Sequence, residues 1–321
     1  MAFFLPDGRL VVDNSTLSSL ATCGTQAFMQ YALNLRAPVG TNLPAEAGSG
    51  IHAAIEAYFK TNSRIDAFVA LEEYYGHIAD AYAQPGDRLS YENIEKCLTG
   101  WFDKYGPGEL PYVVEPGTVE VPFALPLTKE VVYAGRIDAL VRPRGGTGLW
   151  LLDTKSTGNP DKKFKAQFKI GSQMSGYYWA AQQLFKEDIE GIYINVVHTG
   201  KVPSSYGKCK THSLPYAECG IWHMKHGIEK FYRSPGEIAS WLADAKALAT
   251  EWYEMLARPF PSLDTIDQRG RWIYQACALC DYHEFCQRGR DPVYACNNFE
   301  VRPWVPAGLD ESEDLHEINT I

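Results

Sequence analysis

One stretch, YAGRIDALVRPRGGTGLWLLDTKSTG at 133–158, constrains the fold more than any other part of this chain. Apolar runs on both sides of a Gly-rich connection at 144–148 predict two β-strands joined by a turn. Asp138 lies on the first predicted strand, and Asp153 and Lys155 lie at the end of the second. Because residues two apart on a strand face the same way, Asp153 and Lys155 share one face, and Thr154 points to the other.

Charged side chains at the edge of a buried sheet are poor choices for stability alone. A bound Mg²⁺ or Mn²⁺ ion would neutralise the two carboxylates, and the lysine could then orient a water molecule or stabilise charge on a phosphate. A D-x-K triplet by itself is also compatible with a solvated strand edge. The other motifs of the chain have to decide between these two interpretations.

Length and composition bound the class of protein. The chain has 321 residues, of which 45% are hydrophobic and 21% charged, as is ordinary for a soluble globular protein. No apolar run could span a bilayer, and MAFFLPDGRL lacks the features of a signal peptide. We therefore expect a cytoplasmic protein with no membrane partner, whose eight cysteines are metal ligands or free thiols rather than disulfides.

Charge is distributed unevenly along the chain. The net charge of −9 argues against a protein that coats nucleic acids nonspecifically. Five of the acidic residues lie in the segment 310–321, which contains no Lys or Arg. Such a composition predicts a disordered acidic tail, so we leave it out of the site.

Candidate metal ligands also precede the two strands. AEAGSGIHAAIEAYFK at 45–60 predicts a helix on which His52 and Glu56, four residues apart, share a face. Such a histidine can be satisfied by its own helix neighbour, but the small residues before it would let the helix approach a metal site closely. Glu120 lies in the alternating segment TVEVPFALPL, where it could be a metal ligand, a carboxylate that supports the ligands, or an edge-strand residue.

Basic residues follow the second strand. The segment 155–169 holds five lysines and one aspartate, which predicts either a phosphate-facing patch or a solvated face. On the next predicted helix, Gln173 and Tyr177 lie four apart on one face, where they could hydrogen-bond a phosphate or stack on a base.

The remaining segments predict core elements without chemistry of their own. Aromatic residues at helical spacing over 65–105 are typical of a helical core. GIYINVVHTG at 191–200 predicts a buried strand, with a partner strand at 208–216. The pattern from Glu218 to Arg258 is helical, with an interruption at 234–236.

The segment CALCDYHEFC at 277–286 has the spacing C-x2-C-x5-C. Three thiolates this close repel one another unless an ion offsets their charge, and a fourth ligand must come from elsewhere. A three-plus-one grouping fits an iron-sulfur cluster better than a structural zinc site, which usually pairs its ligands. Cys296 is the near candidate for the fourth ligand and Cys23 the distant one, because the cost of closing a loop grows only logarithmically with its length.

These motifs, in this order, resemble the RecB-like branch of the PD-(D/E)XK nucleases. The matching motifs are GSGIHAAIE with His52, GRIDAL with Asp138, LLDTKST with Asp153 and Lys155, and Q-x3-Y with Gln173 and Tyr177. The C-terminal cysteines and a lone Cys23 resemble the iron-sulfur subgroup, which includes Cas4, the AddB nuclease domain and eukaryotic exonuclease V. The resemblance runs from about Cys23 to Cys286.

The resemblance implies a restriction-endonuclease-like α/β fold, with a central mixed sheet flanked by helices, helical additions and a cysteine-ligated cluster. It implies one nuclease domain over 1–305, a helical insertion at about 60–112, a cluster-binding part at 259–300 and an acidic disordered tail at 306–321. Two departures stand out. The second acidic position is Asp153 rather than the glutamate of some relatives, and the segment 60–112 matches no motif of the family.

The resemblance also implies roles for individual residues. One or two Mg²⁺ or Mn²⁺ ions would be held by His52, Asp138, Asp153 and the carbonyl of Thr154, with Glu56 and Glu120 as supporting carboxylates. Lys155, which completes a catalytic set with Asp138 and Asp153, would position the attacking water or stabilise the pentacovalent phosphate. The DNA path would be lined by Gln173 and Tyr177. Independently of the resemblance, the basic character of the segment 155–169 makes Lys162, Lys163 and Lys165 candidate DNA-binding residues. A [4Fe-4S] cluster, with zinc as the lesser alternative, would be held by Cys23, Cys277, Cys280 and Cys286.

The expected activity is metal-dependent hydrolysis of DNA phosphodiester bonds. We expect an exonuclease rather than an endonuclease, acting on single-stranded or linear DNA in recombination, repair or DNA processing. A chain of 321 residues without a helicase motif also suggests a helicase or recombination partner in a phage or bacterial system. Two alternatives stay open: a non-catalytic iron-sulfur protein that binds DNA as an adaptor, and a zinc-stabilised structural protein.

Overall fold

The computed structural model describes residues 2–37, 43–78, 89–106, 108–200, 208, 213–215, 224–258, 266–278, 280–306 and 309. The strands are β1 (Leu10–Val12), β2 (Leu35–Arg36), β3 (Tyr112–Pro126), β4 (Val131–Pro143), β5 (Leu149–Thr157), β6 (Ile189–His198), β7 (Gly227–Phe231) and β8 (Glu300–Val301). The helices are α1 (Asn14–Thr22), α2 (Gly24–Ala27), α3 (Leu43–Thr61), α4 (Arg64–Ile78), α5 (Tyr91–Lys104), α6 (Lys162–Ala166), α7 (Ser172–Leu184), α8 (Pro235–Ala257), α9 (His283–Gln287) and α10 (Pro292–Asn298). A π-helical turn at Phe28–Ala32 and a 3₁₀ turn at Arg269–Trp272 complete the assignment.

Six of these strands form one mixed sheet around β4. β3 pairs antiparallel with β4 along nearly all of its length. The opposite edge of β4 is shared, because β1 pairs in parallel with its beginning and β5 pairs antiparallel with Ala139 to Val141. β6 then runs parallel to β5 and β7 antiparallel to β6. The mixed sheet flanked by helices agrees with the restriction-endonuclease-like fold predicted from the sequence.

β5 is buried from Leu149 to Thr154, and it reads as a continuous apolar run because helices cover both faces of the sheet. Leu149 and Leu151 belong to the core that includes residues of α1, α7 and α8. Trp150 and Leu152 belong to the core that includes residues of α3, α4 and α5. The alternation of the strand therefore distributes neighbouring side chains between two helical layers, and the D-x-K motif follows at its end.

The segment predicted as a helical insertion, 60–112, contains α4, α5 and the first residue of β3. Its helices pack into the core rather than standing apart from it. Trp101 is fully buried, and its Nε1–H donates to Oδ1 of Asn195 on β6 at 2.8 Å. The Asn195 amide in turn donates to the hydroxyl of Thr154 at 3.4 Å. A helix of the insertion is thus joined to the strand that carries the D-x-K motif.

The helical pattern predicted from Glu218 to Arg258, with its interruption at 234–236, was wrong over 227–231, where the chain forms β7. Local pattern is overridden here because GIEKF pairs antiparallel with β6 and satisfies its backbone groups in the sheet. The predicted helix begins only at Pro235, where Ser234 and Glu237 form a capping box.

Parts of five sequence-based predictions lie outside the described residues. These parts are most of the partner strand at 208–216, the start of the helical pattern at 218–223, the middle of the insertion at 79–88, residues 259–265 of the cluster-binding part, and the acidic tail apart from Pro306 and Leu309. The domain boundaries therefore stay predictions. Among the residues that are described, no helix combines the length and apolar character needed to cross a membrane.

We expect Trp101→Phe to lower the free energy of unfolding by about 2–3 kcal/mol, because it leaves the buried Asn195 carbonyl without its donor and opens a cavity. Urea denaturation monitored by circular dichroism would measure the change. Trp272→Phe is the matched control, since Trp272 is 90% exposed and should shift stability by less than about 0.5 kcal/mol. Equal effects of the two substitutions would contradict the role assigned to Trp101.

Candidate active site

The site begins where β4 and β5 separate. Ala139 and Leu152 form the last pair between these strands. Two residues beyond Leu152, the backbone N–H of Thr154 donates to Oδ2 of Asp138 at 2.7 Å, so a side-chain carboxylate serves in place of a backbone acceptor of β4. The opening leaves room for the Asp138 carboxylate between the two strands, while its neighbours Ile137 and Ala139 stay paired with β3.

Asp153 and Lys155 face the same side of β5, as the strand alternation predicts. The Nζ atom of Lys155 lies 3.0 Å from Oδ1 and 2.8 Å from Oδ2 of Asp153. The Asp153 side chain is 2% exposed and that of Lys155 is 24% exposed, so the lysine lies between the buried carboxylate and the surface. Burial raises the pKa of Asp153 to about 6, although Lys155 opposes the shift. Burial opposes the charge of Lys155, but Asp153 and Asp138 outweigh it and raise the lysine pKa.

Three side chains from three elements converge beside this pair. Ligand atoms of His52 on α3, Glu120 on β3 and Asp138 on β4 all lie within 4.8 Å of one another. Nδ1 of His52 is 3.4 Å from Oδ2 of Asp138. Carboxylate oxygens suit Mg²⁺ and Mn²⁺, and an imidazole nitrogen widens the choice among first-row metals. The donor set therefore fits a divalent cation.

Glu120 reaches this group because β3 is irregular. Its pairing with β4 shifts register between Val114 and Val119, after which Val119 and Val121 oppose Ala139 and Ile137. Glu120 then lies opposite Asp138, with a left-handed φ of 55°. A side chain other than glycine is rarely held in this conformation, and strained backbone of this kind is frequent at functional sites.

The crowding of carboxylates is visible in the acidity of Glu120. Burial, reinforced by the charges of Asp138 and Glu56, raises the pKa of Glu120 to about 8. Arg136 opposes the shift weakly, with its guanidinium 3.7 Å from the Glu120 carboxylate. Glu56 itself pairs with Lys60 at 2.5 Å on the same helix. A cation at the site would lower the pKa of Glu120 again, because it would offset the repulsion between the carboxylates and favour the charged form despite the burial.

The sequence left the position of Glu120 open between a ligand, a supporting carboxylate and an edge residue. The structure places it within the group of converging side chains, and Glu56 behind it. The signal that could have found Glu120 is the alternation of TVEVPFALPL, but the register shift that brings it opposite Asp138 is invisible in the pattern. The Thr154 hydroxyl points away from the site toward Asn195, which leaves only the backbone of Thr154 on this side.

The predicted DNA-facing residues differ in their surroundings. Gln173 donates to the Tyr177 hydroxyl at 3.3 Å, as expected for residues four apart. Burial raises the pKa of Tyr177, and the charges of Asp153 and Asp138 contribute, so this hydroxyl lies near the site. The ring itself packs against Phe123 with a centroid distance of 5.7 Å, and this burial excludes stacking on a base.

The three lysines lie on the short helix α6, which follows the D-x-K strand. Lys165 is paired with Glu229 of β7, so its charge is already offset. Lys162 and Lys163 are exposed and have no ion pair within the described part of the chain. Two of the three predicted basic residues therefore remain available to a phosphate.

Four cysteines line one cavity of about 210 Å³ at the C-terminal end of α1. They are Cys23, Cys277, Cys280 and Cys286. Burial, together with the neighbouring sulfur atoms, raises the pKa of Cys286 to about 11 and also raises that of Cys280. Cys296, the other candidate for a fourth ligand, is exposed and does not line the cavity.

The chain is similar to known nucleases in sequence and in fold. The family model of the PD-(D/E)XK nuclease superfamily matches residues 14–287. Among solved structures, a "putative exonuclease" from Eubacterium rectale is similar with a TM-score of 0.49 and 12% identity, over 85% of this chain and 86% of that one. LHK-Exo in complex with dAMP is similar with a TM-score of 0.26 and 13% identity, over 64% of this chain and 90% of that one. Neither likeness is close enough to transfer a residue role, and no curated protein matches the sequence.

We expect the melting temperature in EDTA to fall as the pH rises from 5 to 8, and Glu120→Gln to reduce this fall by on the order of 5 °C. Since the folded pKa of Glu120 lies above its unfolded value, folding binds a proton in this range, and the stabilisation is lost as the pH rises through about 8. Glutamine mimics the protonated form at every pH. Differential scanning calorimetry would measure the effect.

Glu72→Gln on the exposed face of α4 is the control for this experiment, because it removes a carboxylate that lies in water. Its curve should run parallel to that of the wild type. Parallel curves for the wild type and Glu120→Gln would show that the crowding at Glu120 is not what the structure indicates.

Proposed function

Because this chain belongs to the PD-(D/E)XK nuclease superfamily, we propose that it is a metal-dependent deoxyribonuclease of the RecB-like branch. The observation that carries the proposal is the convergence of His52, Glu120 and Asp138 within 4.8 Å beside the Asp153 and Lys155 pair. Such a group brings carboxylates together where a bound cation would offset their repulsion, next to an ammonium that can face a phosphate.

The proposed cation is Mg²⁺ or Mn²⁺. His52, Glu120, Asp138 and Asp153 would hold it, together with the backbone carbonyl of Thr154. When bound, it would polarise the scissile phosphate and lower the pKa of a water molecule. The chain supplies the rigidity of the site, since the Asp138 carboxylate is fixed by the Thr154 N–H and approached by His52 on a different element.

Lys155 is the residue that would act on the reacting groups directly. Asp153 holds its ammonium through two short contacts, and the raised lysine pKa keeps it charged at neutral pH. From there it would donate to the attacking water or to a phosphate oxygen, where negative charge develops in the transition state.

The proposed substrate is DNA that is single-stranded or has free ends, cleaved by an exonuclease. Lys162 and Lys163 would contact backbone phosphates, and Gln173 with the Tyr177 hydroxyl would line the path of the strand close to the site. A cytoplasmic location and a helicase or recombination partner complete the proposal, which concerns one nuclease domain over residues 1–305.

We further propose that Cys23, Cys277, Cys280 and Cys286 hold a [4Fe-4S] cluster. Four thiols from opposite ends of the chain face one cavity, which supports a shared ligand. Burial and the neighbouring sulfur atoms raise the pKa of Cys280 and of Cys286, which indicates that a thiolate at either position needs a metal to stabilise it. Zinc is the lesser alternative.

We expect Asp153→Asn and Lys155→Met to lower cleavage of end-labelled DNA by at least about a hundredfold, because each removes a group that acts on the transition state. The assay is run without air on single-stranded, double-stranded and circular DNA, in the presence of Mg²⁺, Mn²⁺ or EDTA. EDTA should abolish the wild-type activity, and the label released first reports the polarity.

Asp188→Asn and Lys129→Met are matched controls, because both residues are exposed and lie outside the site. They should leave the rate unchanged. If no substrate is cleaved by the wild type while DNA is still bound, the nuclease proposal falls and the adaptor alternative replaces it.

We expect protein purified without air to contain iron and sulfide and to absorb visible light, and Cys23→Ser to lose most of both. Cys296→Ser should retain them, because its thiol is exposed away from the cavity. Iron, sulfide and zinc analysis with visible spectroscopy measures the outcome. A stoichiometric zinc content without iron would replace the cluster by a zinc site, and retention of iron in Cys23→Ser would exclude Cys23 as a ligand.

A further inference from the structure

Two aromatic rings project from the surface just before the C-terminal cysteines. Trp272 and Tyr274 are each 90% exposed, and Ile273 between them is 45% exposed. We call residues 271–275 the aromatic segment. Folding normally covers rings of this size because they carry the largest apolar surface of any side chain. Two of them left open two residues apart are therefore evidence of a binding surface.

The backbone holds these rings away from the body of the protein. Successive turns follow each other here, with Ile273 N–H donating to the Gly270 carbonyl at 3.2 Å and Ala276 N–H to the Ile273 carbonyl at 3.1 Å. Gln275 has a left-handed φ of 62°, and its amide donates to the Tyr274 hydroxyl at 3.3 Å. Neither ring contacts another aromatic ring in the part of the chain that the structure describes.

The aromatic segment is anchored between the two sides of the cysteine cavity. Gly270 is buried against Cys23, since a Cβ atom added there would lie 3.3 Å from Cys23 Cβ and 3.5 Å from the Thr22 carbonyl. Arg271 lines the cavity, and Cys277 lies three residues beyond Tyr274. The position of both rings therefore depends on the contacts of Gly270 and Cys277 at the cavity.

One arginine beside the rings is available to an anionic ligand. Arg269 engages Asp267 at 2.8 Å and also pairs with Glu251, so both nearby carboxylates have a guanidinium partner. Arg271 is exposed and has no ion pair within the described part of the chain. The surface thus offers two open rings and, beside them, one exposed guanidinium with no ion pair to a described residue.

We propose that the aromatic segment is a stacking platform for unpaired nucleotides, with bases on Trp272 and Tyr274 and a phosphate on Arg271. Aromatic faces combined with positive charge are the means by which proteins bind single strands without sequence preference. Bases within a duplex are already stacked on one another, so the platform selects an unpaired strand. The inference rests on the proposed nuclease function and specifies its substrate as a single strand or a frayed end.

The position beside the cysteines has a consequence for binding. A metal held by the four thiols would fix Cys23 against Gly270 and the chain at Cys277, and so would fix both ends of the platform. Loss of that metal should weaken binding of single strands without changing any residue that touches the strand.

The test measures binding of a fluorescent 20-nucleotide oligothymidylate by anisotropy in EDTA, with a duplex of equal length for comparison. We expect Trp272→Ala to weaken binding of the single strand about tenfold, and Trp272→Phe to restore most of it, because phenylalanine still stacks. Arg271→Ala should reduce the slope of log affinity against log salt by about 0.7, the contribution of one phosphate contact. Duplex affinity should change much less in each variant.

Ile65→Ala is the control, because Ile65 is 76% exposed on α4 and its loss should leave binding unchanged. Circular dichroism confirms that the variants are folded. Wild-type affinity in both Trp272→Ala and the double variant with Tyr274→Ala would overturn the platform, as would failure of the wild type to bind the oligonucleotide. A protein partner would then be the remaining occupant of the rings.

The same proteins separate this inference from the proposed function. If the wild type cleaves DNA while Trp272→Ala binds and cleaves as well as it does, the platform fails and the nuclease stands. If the wild type binds the single strand through Trp272 but cleaves nothing in Mg²⁺ or Mn²⁺, the nuclease fails and the platform stands.

Discussion

The hydrogen bond from the Thr154 N–H to the Asp138 carboxylate is the contact on which the site depends. It forms where the ladder between β4 and β5 ends, and it satisfies a backbone donor that the separated strand would otherwise leave buried. Without this bond the two strands would either stay paired, which would leave no room for the carboxylate, or separate with an orphaned N–H. One side chain therefore supports both the opening of the sheet and the chemistry within it.

Without a bound cation, repulsion between the carboxylates and their burial destabilise this arrangement. Glu120, Asp138 and Asp153 are brought together in a partly buried space, and Glu120 is held in a left-handed backbone conformation. Strain and repulsion of this kind persist only where the surrounding fold imposes them, and here two helical layers clamp the sheet from both sides. The stability of the core is what holds these carboxyl groups together, with Glu120 protonated at neutral pH until a cation arrives.

The cysteine cavity links the two ends of the matched region. α1 begins at a capped Asn14, with Asp13 accepting from the Thr16 N–H, and it ends beside Cys23. Because Cys277, Cys280 and Cys286 come from the far end of the chain, the cavity joins the first helix to the segment after α8. The exposed rings of Trp272 and Tyr274 lie on that segment. The contacts that join the two ends of the chain at the cavity therefore also hold these rings at the surface.

Local periodicity was enough to predict from the sequence the two strands around the Gly-rich turn, the common face of Asp153 and Lys155, and the helical pairing of Gln173 with Tyr177. These features depend on residues close in the chain, for which backbone geometry dictates which side chains share a face. Only the tertiary structure decided that Glu120 lies opposite Asp138, that 227–231 is a strand, that the Tyr177 ring is buried, and that Cys23 rather than Cys296 faces the cavity. Each of these depends on strand register or on contacts between segments far apart in the chain, and no local pattern encodes such contacts.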